Sequence, residues 1–168
     1  MNTKNLIKDV FKEMTEVYNS INDYVIEIGI VSSKNSRNKK DKTKNKKDDG
    51  IGNAELMFIH ENGSPIRNIP ERPVLQITIE HTINVLLPKT LKKIQEGCFK
   101  QNWTKERVKK ELEILCNRMQ NYARNVIYES NLLVPNAPST IKAKGSDRPL
   151  LDTGQLARSI TCRLVSKK

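Results

Sequence analysis

The chain has 168 residues, 36% of them apolar, and a formal net charge of +11. This length holds one domain with a real core and excludes two comfortable ones. The positive excess favours polyanionic or acidic partners. No apolar run approaches the roughly 20 residues of a membrane helix. Residues 1–14 carry no apolar core of the signal-peptide kind, so a soluble protein made in the cytosol is expected.

Residues 4–21 place Leu6, Ile7, Val10, Phe11, Met14, Val17, Tyr18 and Ile21 at spacings of three and four, the stripe of an amphipathic helix. In YVIEIGIVS, Tyr24, Ile26, Ile28 and Ile30 alternate with other residues and predict a strand.

The character then changes. Residues 34–50, KNSRNKKDKTKNKKDDG, contain no apolar side chain and nothing to offset their ordering entropy. A mobile basic loop over 33–50 is expected. Two roles stay open for it. Lys39, Lys40, Lys42, Lys44, Lys46 and Lys47 gain from counterion release on a phosphate backbone; equally, the segment is a solvated insertion at a hairpin tip, with no aromatic residue to stack on bases.

AELMFIHENG is a short apolar piece ending in a glycine turn. In SPIRNIPERP, Pro65, Pro70 and Pro73 fix φ and bias their predecessors toward extended backbone, which predicts a stiff corner. Over 74–97 two readings compete: ITIEHTINV is rich in β-branched residues, whereas Leu75, Ile79, Ile83, Leu86, Leu91 and Ile94 suit a helix, and length favours the helix, with a break or kink at Pro88, which has no N–H to donate to Asn84. Gly97 reads as the end of that helix, leaving Cys98 the most exposed cysteine. Thr104 caps the next helix, along which Val108, Leu112, Leu115, Met119, Tyr122 and Val126 form a packing seam.

Residues 131–149, with three prolines and one glycine, read as loop. Asp152 or Thr153 then caps a short helical turn, and Ile160, Cys162 and Leu164 alternate as a second strand. Pairing strands from opposite ends gives an α+β fold: several amphipathic helices on a small antiparallel sheet, with one lysine-rich insertion.

Chemical motifs are sparse. His60–Glu61 lacks the second histidine at i+4, because position 64 is serine, so no metal site is expected. Cys116 and Cys162 read as small core residues, and the three cysteines form no CxxC pair. Neither a cofactor nor a catalytic group is expected.

Two stretches go further. FIHENGSPIRNIPERPVL resembles the (V/I)HExG…IPxRPFL box of tailed-phage neck and tail-completion proteins, the Mu-like virion morphogenesis family. APSTIKAKGSDRPLLDTGQLARSITCRLV is similar to that family's C-terminal pattern, sxxTixxKgsxxPLxDTGxLxxSIxxxV. The shared positions are Glu61, Gly63, Ile69, Pro70, Arg72, Pro73 and Leu75, then Thr140, Lys144, Pro149, Leu150, Asp152, Thr153, Gly154, Leu156, Ser159 and Ile160. The boxes cover a little over a quarter of the chain. Val74 stands where the family has phenylalanine, and the lysine loop is longer and more basic than the family pattern.

The resemblance implies a non-catalytic virion protein, made in the host bacterial cytoplasm, that completes the tail or joins it to the head. Its implied partners are copies of itself in a ring, neighbouring connector or stopper and tail-terminator proteins, and DNA contacted non-specifically in the lumen; no membrane is implied. The family-motif and subunit-interface candidates are Glu61, Gly63, Pro70, Arg72, Pro73, Leu151, Asp152, Thr153, Gly154, Leu156 and Ser159. Among these, Arg72 is expected to reach outward to a neighbour's carboxylate or carbonyl. The alternative is a stand-alone basic nucleic-acid-binding accessory protein using the 34–47 lysine cluster.

Overall fold

A computed structural model of the chain describes residues 3–36, 51–129 and 131–167. The order is α1 (Thr3–Asn19), β1 (Tyr24–Ile30), α2 (Asn53–Asn62), α3 (Val74–His81), α4 (Leu87–Lys100), α5 (Lys105–Glu129), α6 (Pro138–Lys144), α7 (Gln155–Ser159) and β2 (Ile160–Ser166). The fold is α+β and mostly helical, and β1 and β2 form a two-stranded antiparallel sheet. Arg163 of β2 donates to the Glu27 carboxylate of β1 at 2.7 and 2.8 Å, and the Lys167 N–H donates to the Asp23 carbonyl, which sets the register.

The described chain divides into two compact units, residues 1–27 with 80–119 and 162–168, and residues 28–79 with 120–161. In the first unit Ile94, Cys98, Val108 and Leu112 form the core, covered by Val17, Tyr18, Ile21, Tyr24, Phe99, Trp103 and Leu164. Beside it, Glu111 is buried and accepts hydrogen bonds from Lys93 (2.8 Å) and Arg107 (3.0 Å). A buried carboxylate persists only with such compensation. The core of the second unit gathers Met57, Val74, Ala123, Val126, Ile127, Leu133, Leu156, Ala157 and Ile160.

Several expectations are revised. A π-turn over Thr82–Leu86 joins α3 to α4, closed by the Leu87 N–H to the Thr82 carbonyl. The break thus falls just before Pro88, where the helix accommodates the missing donor by widening. Gly97 does not end α4: it lies inside the helix, at a position where a side chain would strike the Trp103 ring. Cys98 is consequently 1% exposed, the reverse of its expected exposure.

Residues 138–144 are helical rather than loop, because Pro138 occupies the first turn and Gly145 ends the helix at φ 71°. Neither Asp152 nor Thr153 caps α7 through its side chain; Gly154, at φ 71°, takes the N-cap position. Residues 32–34, at the root of the expected basic loop, form a 3₁₀ turn. Asn35 follows it, accepting the Ala54 N–H on its side chain at 2.7 Å and the Asn53 N–H on its carbonyl at 2.8 Å.

Candidate functional site

The first box occupies the corner between α2 and α3. Ser64 and Ile69 exchange both backbone hydrogen bonds (2.8 and 3.0 Å), closing a turn that Pro65 enters and Asn68 leaves in left-handed geometry. Gly63 sits at φ 68°, where a side chain would also press within 3.1 Å of the Glu71 amide and the Ile69 carbonyl. Glu61 spans the corner. Its carboxylate accepts the N–H groups of Leu75 (3.1 Å) and Gln76 (2.8 Å), two donors of the first turn of α3. Pro73 immediately precedes that turn and its carbonyl accepts the Ile77 N–H. Ile66, at the tip, is 99% exposed.

Arg72 turns inward. It is 6% exposed and donates to the carbonyls of Val134 (2.8 Å) and Pro135 (3.0 Å) and to the Asn136 side-chain oxygen (3.3 Å). The expected outward reach is therefore wrong for this residue: the planar fork finds its carbonyls within its own chain. Burial pushes the Arg72 guanidinium below its ordinary value. Asn136 in turn donates to the Asp147 carbonyl, and Lys144 to the Arg148 carbonyl at 2.7 Å. Arg72 thereby ties the first box to the entrance of the second.

The second box folds around Gly154. The Arg158 guanidinium donates to the Thr153 carbonyl at 2.9 Å, and the buried Ser159 hydroxyl donates to the Leu156 carbonyl at 2.7 Å. Leu156 belongs to the core, with Leu150 and Leu151 packed on it. Ser139, Thr140, Ala143, Lys144 and Asp152 line a shallow, open depression. Burial lowers the Lys144 ammonium; the Asp152 charge opposes that shift and the Arg72 charge adds to it.

The structure therefore sorts the candidates. Arg72, Gly154, Leu156 and Ser159 are buried and shape the unit, whereas Pro70, Asp152 and Thr153 face solvent. Lys39, Lys40, Lys42, Lys44, Lys46 and Lys47 lie outside the described residues. Sequence reasoning missed Val134, Pro135 and Asn136 as the acceptors of Arg72; a backbone carbonyl has no residue-type signature by which to find it. Among the described residues no three His, Cys, Asp or Glu side chains gather as a metal site. The chain matches no family model, no curated protein and no solved structure.

Proposed function

We propose that the chain is a structural virion protein of the head–tail junction. It forms or joins a ring at the head-proximal end of a phage or phage-like tail, through which DNA passes. The observation that carries this reading is the pair of boxes at 58–75 and 137–165, in the order of the neck and tail-completion pattern, with Arg72 of the first joined to residues 134–136 just ahead of the second. Such a bridge supports a shape-setting role: two segments 62 positions apart are held as one rigid corner. That corner holds Ile66 in full solvent, and covering an aliphatic side chain of this size yields about 1.5–3 kcal/mol. A head-to-tail contact repeated about an axis would cover it in every copy and close the ring.

The partners are then further copies of the chain, a connector or stopper on one side and a tail terminator on the other. Labelling the chain in purified particles tests the reading. Density for it at the top of the tail is the expected result; its absence from particles, with the free protein confined to cells, defeats the proposal.

A second reading, sequence-independent nucleic-acid binding by the free chain, is favoured by charge. Beyond the lysine cluster, Lys92, Lys100, Lys105, Lys109 and Lys110 stand exposed on α4 and α5. Such a surface neutralises phosphates without reading bases.

A further inference from the structure

Asn62–Gly63 is the one Asn–Gly step in the chain, and it stands where α2 gives way to the corner. Asn62, the last residue of α2, is exposed, and its side-chain Nδ2 donates to the Phe58 carbonyl at 2.8 Å, one turn back. Gly63 follows at φ 68° and ψ −179°. At the ends of α4 and α6 the C-cap N–H closes back onto the helix, Gln101 onto Gly97 and Gly145 onto Ile141. Among the described residues the Gly63 N–H makes no such bond. A backbone nitrogen with no acceptor engaged and no Cβ beside it thus lies next in the chain to an exposed carboxamide.

The nitrogen one residue on from an asparagine reaches its Cγ by closing a five-membered ring. A side chain on that next residue obstructs the approach, and a hydrogen bond from its N–H withdraws the nitrogen. Where neither applies, asparagine is at its most labile. A helix terminus adds the freedom to reach the geometry, because the last turn opens at little cost. Asn53, Asn68 and Asn102 differ: each precedes a residue with a side chain, and the N–H groups of Ala54, Ile69 and Trp103 are all engaged.

We infer that Asn62–Gly63 is a self-modification site: the folded chain converts Asn62 to aspartate and isoaspartate, and the conversion loosens the corner. Water is the co-reactant. The Gly63 nitrogen gives its proton to solvent and bonds Asn62 Cγ; the Cγ–Nδ2 bond breaks, and the amide takes a proton back and leaves as ammonia. Water then opens the cyclic imide. Opening at Cγ gives aspartate, and opening at the backbone carbonyl gives isoaspartate, whose chain runs through Cβ. One water enters for each ammonia lost, and no electron moves.

Both products act on the corner. Each ends the Nδ2 bond to Phe58 and places a carboxylate beside Glu61 at the negative end of α2. Isoaspartate also lengthens the backbone by a methylene directly before Gly63, where the Glu71 amide and the Ile69 carbonyl approach closely. The added length falls within the segment that the Arg72 N–H closes onto the His60 carbonyl at 2.6 Å.

The test incubates the folded full-length chain in warm neutral buffer beside Asn62→Gln, whose longer side chain must close a slower six-membered ring. Peptide mass mapping is expected to show the residue-62 peptide gaining the mass of an amide-to-acid exchange ahead of every other asparagine peptide. That peptide splits into two chromatographic forms, with one ammonia released per chain converted. Trypsin, cutting after the exposed Arg67, then digests the aged parent several-fold faster at that bond than Asn62→Gln aged beside it. Far-UV circular dichroism shows that the variant folds, and Asn62→Ser, at the same exposed position, decides if it does not. No mass gain at residue 62 in the folded chain overturns the proposal; where the urea-unfolded chain converts over the same interval, the fold is what protects the step. Earlier conversion at another asparagine, or equal tryptic cleavage at Arg67, overturns it as well.

Discussion

Arg72 Nε lies 2.8 Å from the carbonyl oxygen of Val134, joining positions 62 apart in sequence. Two further acceptors, the Pro135 carbonyl and the Asn136 side chain, complete the guanidinium's environment. Lysine at this position offers one charged nitrogen in place of a planar fork, so Arg72→Lys leaves part of a partly buried set of acceptors unpaired and the site around a buried cation incompletely satisfied. The expected cost is about 1–3 kcal/mol, read as a lower urea midpoint of the isolated chain. An unchanged midpoint with impaired particle assembly would mean that Arg72 acts between subunits instead.

Gly97 opposes two helix rules. Alanine within a helix is better than glycine by about 1 kcal/mol, which favours Gly97→Ala. Yet a side chain at 97 collides with the Trp103 ring, itself flanked by the Arg107 guanidinium 4.9 Å from its centroid. Overpacking of this kind costs about 1–3 kcal/mol, so packing wins and Gly97→Ala is destabilised. Adding Trp103→Leu restores part of the loss, a non-additivity that a double-mutant cycle measures. If Gly97→Ala raises the melting temperature, the assigned Trp103 contact is wrong.

Glu111 is 2% exposed and its two cations, Lys93 and Arg107, are about half exposed. Losing either cation leaves one partner, and the cost is small because the other still compensates the carboxylate. Losing both strands a buried charge, at about 3–5 kcal/mol. Denaturant unfolding of the two single variants and Lys93→Ala/Arg107→Ala should therefore show a double loss well above the sum. Additive losses would count against a shared compensation of Glu111.

What was legible in the chain followed local period. The alternation through Tyr24, Ile26, Ile28 and Ile30 is a strand, and the Val108–Val126 seam is a helix, because burial on one face leaves a repeat in the residues. α6 stayed hidden because its delimiters, Pro138 and Gly145, are also the commonest residues of loops; only their spacing, proline inside the start and glycine beyond the end, tells the cases apart. The candidate site was half legible. Gly63, Gly154 and the prolines announce turns, but the destination of Arg72 depends on carbonyls at 134 and 135, and tertiary approach alone decides that. Gly97 failed for the same reason: its partner, Trp103, lies across a turn that composition does not reveal.

The lysine cluster can be tested without disturbing its root. Asn53 donates from its side chain to the carbonyls of Lys34 and Ser36, and Asn35 engages Asn53 and Ala54, so α2 depends on residues 34–36. Replacing Lys39, Lys40, Lys42, Lys44, Lys46 and Lys47 with glutamine leaves those bonds intact, and the variant should melt with the parent chain. On the neck reading, the free parent has little affinity for duplex DNA at about 0.15 M salt, and neutralising the six charges impairs particle assembly where DNA lies close. On the nucleic-acid reading, the parent binds duplex with a steep salt dependence, and each phosphate left without its lysine flattens the log–log slope by about 0.9. Duplex binding measured across a salt series, with particle yield scored for the same variant, separates them. Tight, lysine-dependent binding with undiminished assembly would displace the neck reading, because the charge would then serve the free chain and not the particle.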